Sequence, residues 1–124
     1  MKDFLIKKKS EINGIGIFTE KDMGNGEQFY IIPLDKVFKK SYPRYARIEK
    51  GRYVCDEKVL NFVNHSCNPN TILKINVESP VLLAKRNIKS GEEITCDYEM
   101  TEKKGYFFKC KCKSKNCRKN IGKL

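Results

Sequence analysis

The stretch "CKCKSKNCRK" places Cys110, Cys112 and Cys117 in a Cys-x-Cys-x-x-x-x-Cys spacing, and this spacing constrains the whole chain. A structural zinc site takes four thiolate or imidazole ligands in a tetrahedron, so three ligands in the tail require a fourth from elsewhere. The tail must then fold back onto a distant segment. The chain's one histidine, His65, and Cys67 stand together in "NFVNHSCNPN", residues 61–70, and are the candidates. Cys55 and Cys96 have apolar neighbours that suit buried structural thiols. Disulfides are the other use of six cysteines, but they belong to secreted proteins. The N-terminus "MKDFLIKKKS" lacks the uninterrupted apolar segment of a signal peptide. No run approaches the roughly 18 apolar residues of a membrane span. The expectation is a soluble intracellular protein, nuclear or cytoplasmic, that does not engage a membrane.

The rest of the chain reads as strand. "DFLIKK", "IGIFTE", "EQFYIIP", "RYVC", "NTILKINV", "SPVLLAKR" and "EEITCDY" are short β-branched or aromatic runs. Turn signals at Gly14, Asn25-Gly26, Pro43, Ser79-Pro80 and Ser90-Gly91 separate them. Only "DEKVLNFVNH" predicts a helix, capped by Asp56, with Val59, Leu60 and Phe62 on its apolar side. At 124 residues and 40% apolar content, the chain closes one core rather than two. Residues 1–102 form the predicted domain, and 103–124 a tail packed on it. The tail is too small to bury a core of its own. It needs its metal, since a zinc site supplies about 10–16 kcal/mol of coupled binding and folding.

The formal charge of +11 is unevenly placed: residues 103–124 carry nine basic side chains and no acidic one, and Lys7, Lys8 and Lys9 form a second cluster. Such lysines are either solvated surface that keeps a small protein soluble or a field that draws acidic partners, nucleic acid included. Charge alone does not separate the two.

Four segments, taken in order, carry a resemblance. "GIGIF", "NFVNHSCNPN", "IKSGEEITCDYE" and "CKCKSKNCRK" resemble the motifs of SET domain protein lysine methyltransferases with a cysteine-rich post-SET tail, from Gly14 to about Gly122. The resemblance implies a mainly β fold of short strands in several small sheets, with few short helices and a knot-like C-terminal threading. It implies S-adenosylmethionine as cofactor, contacted by Gly14, Ile15, Gly16, Asn64, His65 and Tyr98, with Phe108 packed against adenine. It also implies one structural zinc held by Cys67, Cys110, Cys112 and Cys117. The Asn-His-Ser-Cys segment then joins two sites, and His65 is not a general base. A Cys/His nucleophilic pair would need a third group to orient the base, and a separation of two residues on an irregular segment supplies none.

The implied chemistry sets its own demands. Methyl transfer from a sulfonium to a lysine nitrogen requires aligned partners and excluded water. The lysine must be neutral, and with a reference pKa of about 10.4 this costs roughly 4–5 kcal/mol at pH 7. A narrow apolar channel beside a positive sulfonium lowers that pKa by desolvation and like charge. By resemblance Tyr98 is the catalytic tyrosine, and Tyr53 and Cys96 belong to the substrate channel. Where relatives carry a tyrosine at the position of Cys96, its hydroxyl anchors the amine. The cysteine here implies transfer beyond monomethylation, unless it points into the core and Tyr53 or Phe108 narrows the channel. The implied partner is a protein with a target lysine, such as a histone tail, with weak nucleic-acid contact through the basic surface. The alternative is a catalytically silent zinc-bearing module that binds nucleic acid or chromatin.

Overall fold

The β-branched and aromatic runs become strands of two to five residues in a computed structural model that describes residues 3–40, 44–98 and 107–122. In chain order they are β1 (Leu5–Lys9), β2 (Ile15–Thr19), β3 (Gln28–Ile31), β4 (Val37–Phe38), β5 (Ala46–Glu49), β6 (Arg52–Val54), β7 (Asn64–His65), β8 (Thr71–Lys74), β9 (Val81–Ala84), β10 (Glu93–Cys96), β11 (Phe107–Lys109) and β12 (Asn120–Gly122). They form four small sheets with orders β1-β2-β10-β7, β3-β9-β8, β4-β6-β5 and β11-β12. This is the mainly β architecture expected. The Pro43 turn signal and the expected start of the tail at residue 103 lie outside the described residues. Among the described residues no helix is long and apolar enough to cross a membrane.

One element departs from the sequence reading. "DEKVLNFVNH" forms only a 3₁₀ turn over Leu60–Phe62. Val59, not Asp56, is its N-cap, and Asp56 instead holds the approach, its carboxylate accepting from Leu60 N at 3.0 Å and Lys58 N at 3.2 Å. The helix does not continue because Val63 turns extended and Asn64 and His65 are drawn into β7, parallel to Thr95 and Cys96 of β10. Tertiary pairing outweighs a weak local helical preference.

Ile17 of β2, Ile94 of β10, Phe29 of β3 and Leu82 of β9 are almost fully buried in one shared core. Each such side chain contributes about 1.5–3 kcal/mol of burial, so the core joins the β1-β2-β10-β7 sheet to the β3-β9-β8 sheet. A parallel pair needs a crossover connection, and here the chain between β7 and β10 contains the whole β8–β9 hairpin. The result is the knot-like arrangement, with β10 threaded between β2 and β7.

Asn70 holds the thread. Its Nδ2 donates to Glu93 O at 2.8 Å, its Oδ1 accepts from Thr95 N at 2.9 Å, and its backbone N donates to Thr95 Oγ1 at 3.2 Å. Thr71 adds a bond from its hydroxyl to Thr95 O at 2.6 Å. Asn70→Ala would leave a buried carbonyl and a buried amide unpaired, each costing about 1–3 kcal/mol. Urea denaturation should therefore show a loss of about 2–4 kcal/mol with little change in slope. An unmoved midpoint would refute this account of the thread.

Candidate active site and metal centre

The turn between β1 and β2 is built on Ser10. Its hydroxyl accepts from Ile12 N and Asn13 N and donates to the Glu93 carboxylate at 2.8 Å, while Ser10 N donates to Gly14 O. Gly14 has φ +48°, a conformation that glycine adopts at little cost. Gly16 passes directly beneath Glu93: a Cβ placed there would lie 2.2 Å from Oε2. Asn64, 1% exposed, closes the arrangement. Its Nδ2 donates to Asn13 O and Glu93 Oε2, both at 2.9 Å. Its Oδ1 accepts from Arg44 Nη1 at 3.0 Å. Thus the glycine turn, the middle motif and β10 are joined through one side-chain amide.

Tyr98 follows β10. Its hydroxyl donates to Val63 O at 2.6 Å and accepts a short hydrogen bond from the same Arg44 Nη1. Its backbone N donates to His65 Nδ1 at 3.0 Å, and the two rings meet edge to face with centroids 5.5 Å apart. Because Nδ1 accepts, the imidazole carries its proton on Nε2, which lies 3.3 Å from Cys67 Sγ. The buried His65 ring therefore spans from the tyrosine to the cysteines.

The ligand atoms of Cys67, Cys110, Cys112 and Cys117 lie within 4.8 Å of one another. Zinc–sulfur bonds of about 2.3 Å in a tetrahedron imply sulfur separations of about 3.8 Å. Cys67 and Cys110 are at 3.8 Å. Each sulfur also accepts from a backbone N–H: Cys67 from Arg118, Cys110 from Cys112, Cys112 from Cys67 and Cys117 from Lys119, at 3.2–3.5 Å. Such donors suit thiolates, so the set can hold a metal. Burial opposes ionisation of Cys112, but Ser114 and the amide of Cys67 outweigh it and bring the thiol down to about 5. Burial and the hydrogen bonds of the neighbouring cysteines push Cys110 up instead. A bound dication would relieve the competition by stabilising all four as thiolates.

An open cleft of about 460 Å³ lies in front of the glycine turn, lined by Ile15, Arg44, Tyr45, Cys55, Glu57, Asn61 and Phe62. Its size suits a ligand of cofactor dimensions. Ile15 enters the lining, whereas Asn64 and Tyr98 reach it through Arg44.

The SET domain family matches residues 14–99. The chain belongs to the SET domain family. It is 32% identical over 142 residues to a Plasmodium falciparum variant-silencing SET domain-containing protein, covering 94% of this chain and 6% of that one. It is also 32% identical over 139 residues to the histone-lysine N-methyltransferase SUV39H2 of Xenopus tropicalis, covering 91% and 34%. The chain thus spans only a small part of the curated relatives it matches. A crystal structure of KRYPTONITE in complex with mCHH DNA, an H3(1-15) peptide and SAH superposes with a TM-score of 0.73 over 94% of this chain and 29% of that one, at 21% identity, showing the same fold.

Within this SET fold, the residues named from sequence fall into three groups. Gly14, Ile15, Gly16, Asn64, His65 and Tyr98 form one connected region, and Cys67, Cys110, Cys112 and Cys117 another beside it. Tyr53, in the middle of the β4-β6-β5 sheet, and Cys96, in the main core, are both buried. Phe108 lies in β11 opposite Ile121, and its side chain is outside the described residues. Arg44, Glu93, Asp97 and Arg118 went unread. Glu93 resembled a routine turn into a strand, and Arg44 and Arg118 were lost among many basic residues. Placement directly after Cys117 was the one available signal for Arg118.

Proposed function

We propose that the chain is an S-adenosylmethionine-dependent protein-lysine N-methyltransferase, with residues 1–102 as the SET domain and 103–124 as its zinc-bound tail. The observation that carries the reading is that Arg44, in the cleft lining with Ile15 of the glycine turn, bonds both Asn64 and the Tyr98 hydroxyl. Relatives named histone-lysine N-methyltransferases and the SAH and H3 peptide in the KRYPTONITE crystal structure support it. A histone tail or another chromatin protein is the proposed substrate. The exposed lysines of β1 and the tail add weak attraction for nucleic acid.

Ile15 and Phe62 supply apolar wall for a bound cofactor, and Asn61 and Glu57 supply polar edges. S-adenosylmethionine supplies an electrophilic methyl group on a sulfonium. The protein's task is orientation, because an in-line displacement needs alignment more than covalent help. The Val63 carbonyl fixes the direction of the Tyr98 hydroxyl, whose oxygen faces Arg44. A guanidinium beside that oxygen is a positive neighbour, which favours the neutral form of an entering lysine amine.

Three outcomes test the reading. Tyr98→Phe removes only the hydroxyl and should lower turnover at least about tenfold, or 1.4 kcal/mol of barrier, with little change in cofactor affinity. A methylation assay on histones and whole-cell lysate checks this, and an undiminished variant would reject the assignment. Elemental analysis should find one zinc per chain, and Cys112→Ser should lose the metal and loosen the tail before the rest unfolds. Native protein without zinc would exclude the metal centre. Finally, Cys96 lies in the main core and Tyr53 inside its own sheet, so neither gives the amine a phenol anchor in the cleft, and exhaustive reaction should proceed to dimethyl or trimethyl lysine. Mass spectrometry decides: a wild-type product that stops at one methyl would overturn the proposal.

A further inference from the structure

The tail does more than surround a metal: it reaches the residue beside Tyr98. Arg118 directly follows the ligand-set residue Cys117, and two of its nitrogens meet Cys67 Sγ, backbone N at 3.2 Å and Nε at 3.4 Å. The far edge of the same guanidinium, Nη2, pairs with Asp97 Oδ2 at 2.9 Å. The other Asp97 oxygen lies 3.7 Å from the accepting His65 Nδ1, too far for a hydrogen bond, so Asp97 acts on Tyr98 through the peptide bond that joins them. His65 Nε2 returns to Cys67 Sγ. Two routes therefore lead from one cysteine sulfur to the Tyr98 backbone, one through the imidazole and one through Arg118 and Asp97.

We propose that Arg118 is a positioning residue: it spans Cys67 and Asp97, so that docking of the tail on the cysteine cluster tightens the hold on Tyr98 that Val63, Arg44 and His65 already provide. The planar guanidinium explains why arginine serves here, since Nε and Nη2 lie on one rigid fork and address the sulfur and the carboxylate together. A lysine carries the charge but cannot span both partners. The pair is partly sheltered, with Asp97 20% and Arg118 38% exposed, so water competes for it less than at an open surface. The functional meaning of the inference rests on the methyltransferase reading, but its structural content does not.

The test uses full-length zinc-loaded protein with Arg118→Gln, Asp97→Asn, Arg118→Lys and the double variant Arg118→Gln/Asp97→Asn. Exchange of the Tyr98 backbone amide, followed by NMR, reports how firmly that residue is held. Both neutralising single variants should exchange it roughly threefold faster or more, with zinc still at one per chain and bulk stability little changed. Arg118→Lys should behave like Arg118→Gln. The double variant should be no worse than the weaker single, because both act through one contact. In the kinetic arm, kcat should fall with little change in the affinity for S-adenosylmethionine. Tyr98 exchange less than about threefold faster, additive effects in the double variant, full function of Arg118→Lys, or loss of zinc from Arg118→Gln would each overturn the proposal. If wild-type protein transfers no methyl group, the methyltransferase reading fails while the exchange arm still decides the role of Arg118.

Discussion

Strand β10 has a hydrogen-bonded partner on each edge, antiparallel to β2 and parallel to β7, and the rest of the site depends on that double pairing. Through β2 it fixes the glycine turn beneath Glu93. Through β7 it sets Asn64 and His65 beside Thr95 and Cys96. Its end delivers Asp97 and Tyr98 to the histidine. A one-residue slip in a strand turns every side chain to the other face, so such a slip would move Glu93 off the turn and disconnect Asn64. Asn70 and Thr71, bonding to the β10 backbone around Thr95, oppose that slip.

The polar groups at this junction work as a balanced set. Glu93 brings a carboxylate to the turn, where Ser10 and Asn64 donate to it. Arg44 brings a cation to the other side of Asn64. Because even a half-buried carboxylate without donors is costly, each partner requires the others. This accounts for an amide, an imidazole and a thiol packed into one short motif: Asn64 serves the turn, His65 the tyrosine and Cys67 the tail.

Much of the fold was legible because seven runs have the composition and turn boundaries of strands. β4, β5, β7, β11 and β12 were not, and two-residue strands such as Val37–Phe38 exist only by virtue of a partner. The same cause turned the expected helix at residues 56–65 into a single 3₁₀ turn. The need for a fourth ligand pointed to the middle motif, and the structure gathers Cys67 with the three tail cysteines. Arg44 was hidden for a different reason. Its φ of +73° is uncommon for a residue other than glycine, and no local pattern announces a side chain aimed at Asn64 and Tyr98.

The threading also orders events in time. β1 and β2 can close as a local hairpin, as can β8 and β9, but β10 joins β2 across more than seventy residues of chain. Contacts of such long sequence separation form slowly, because loop closure must precede the interactions that reward it. Tyr98, carried on the end of β10, is therefore placed late in folding. A metal held by the four cysteines would then come after the local hairpins, and a chain that has made its hairpins but not its thread presents strand edges able to pair with a neighbouring molecule.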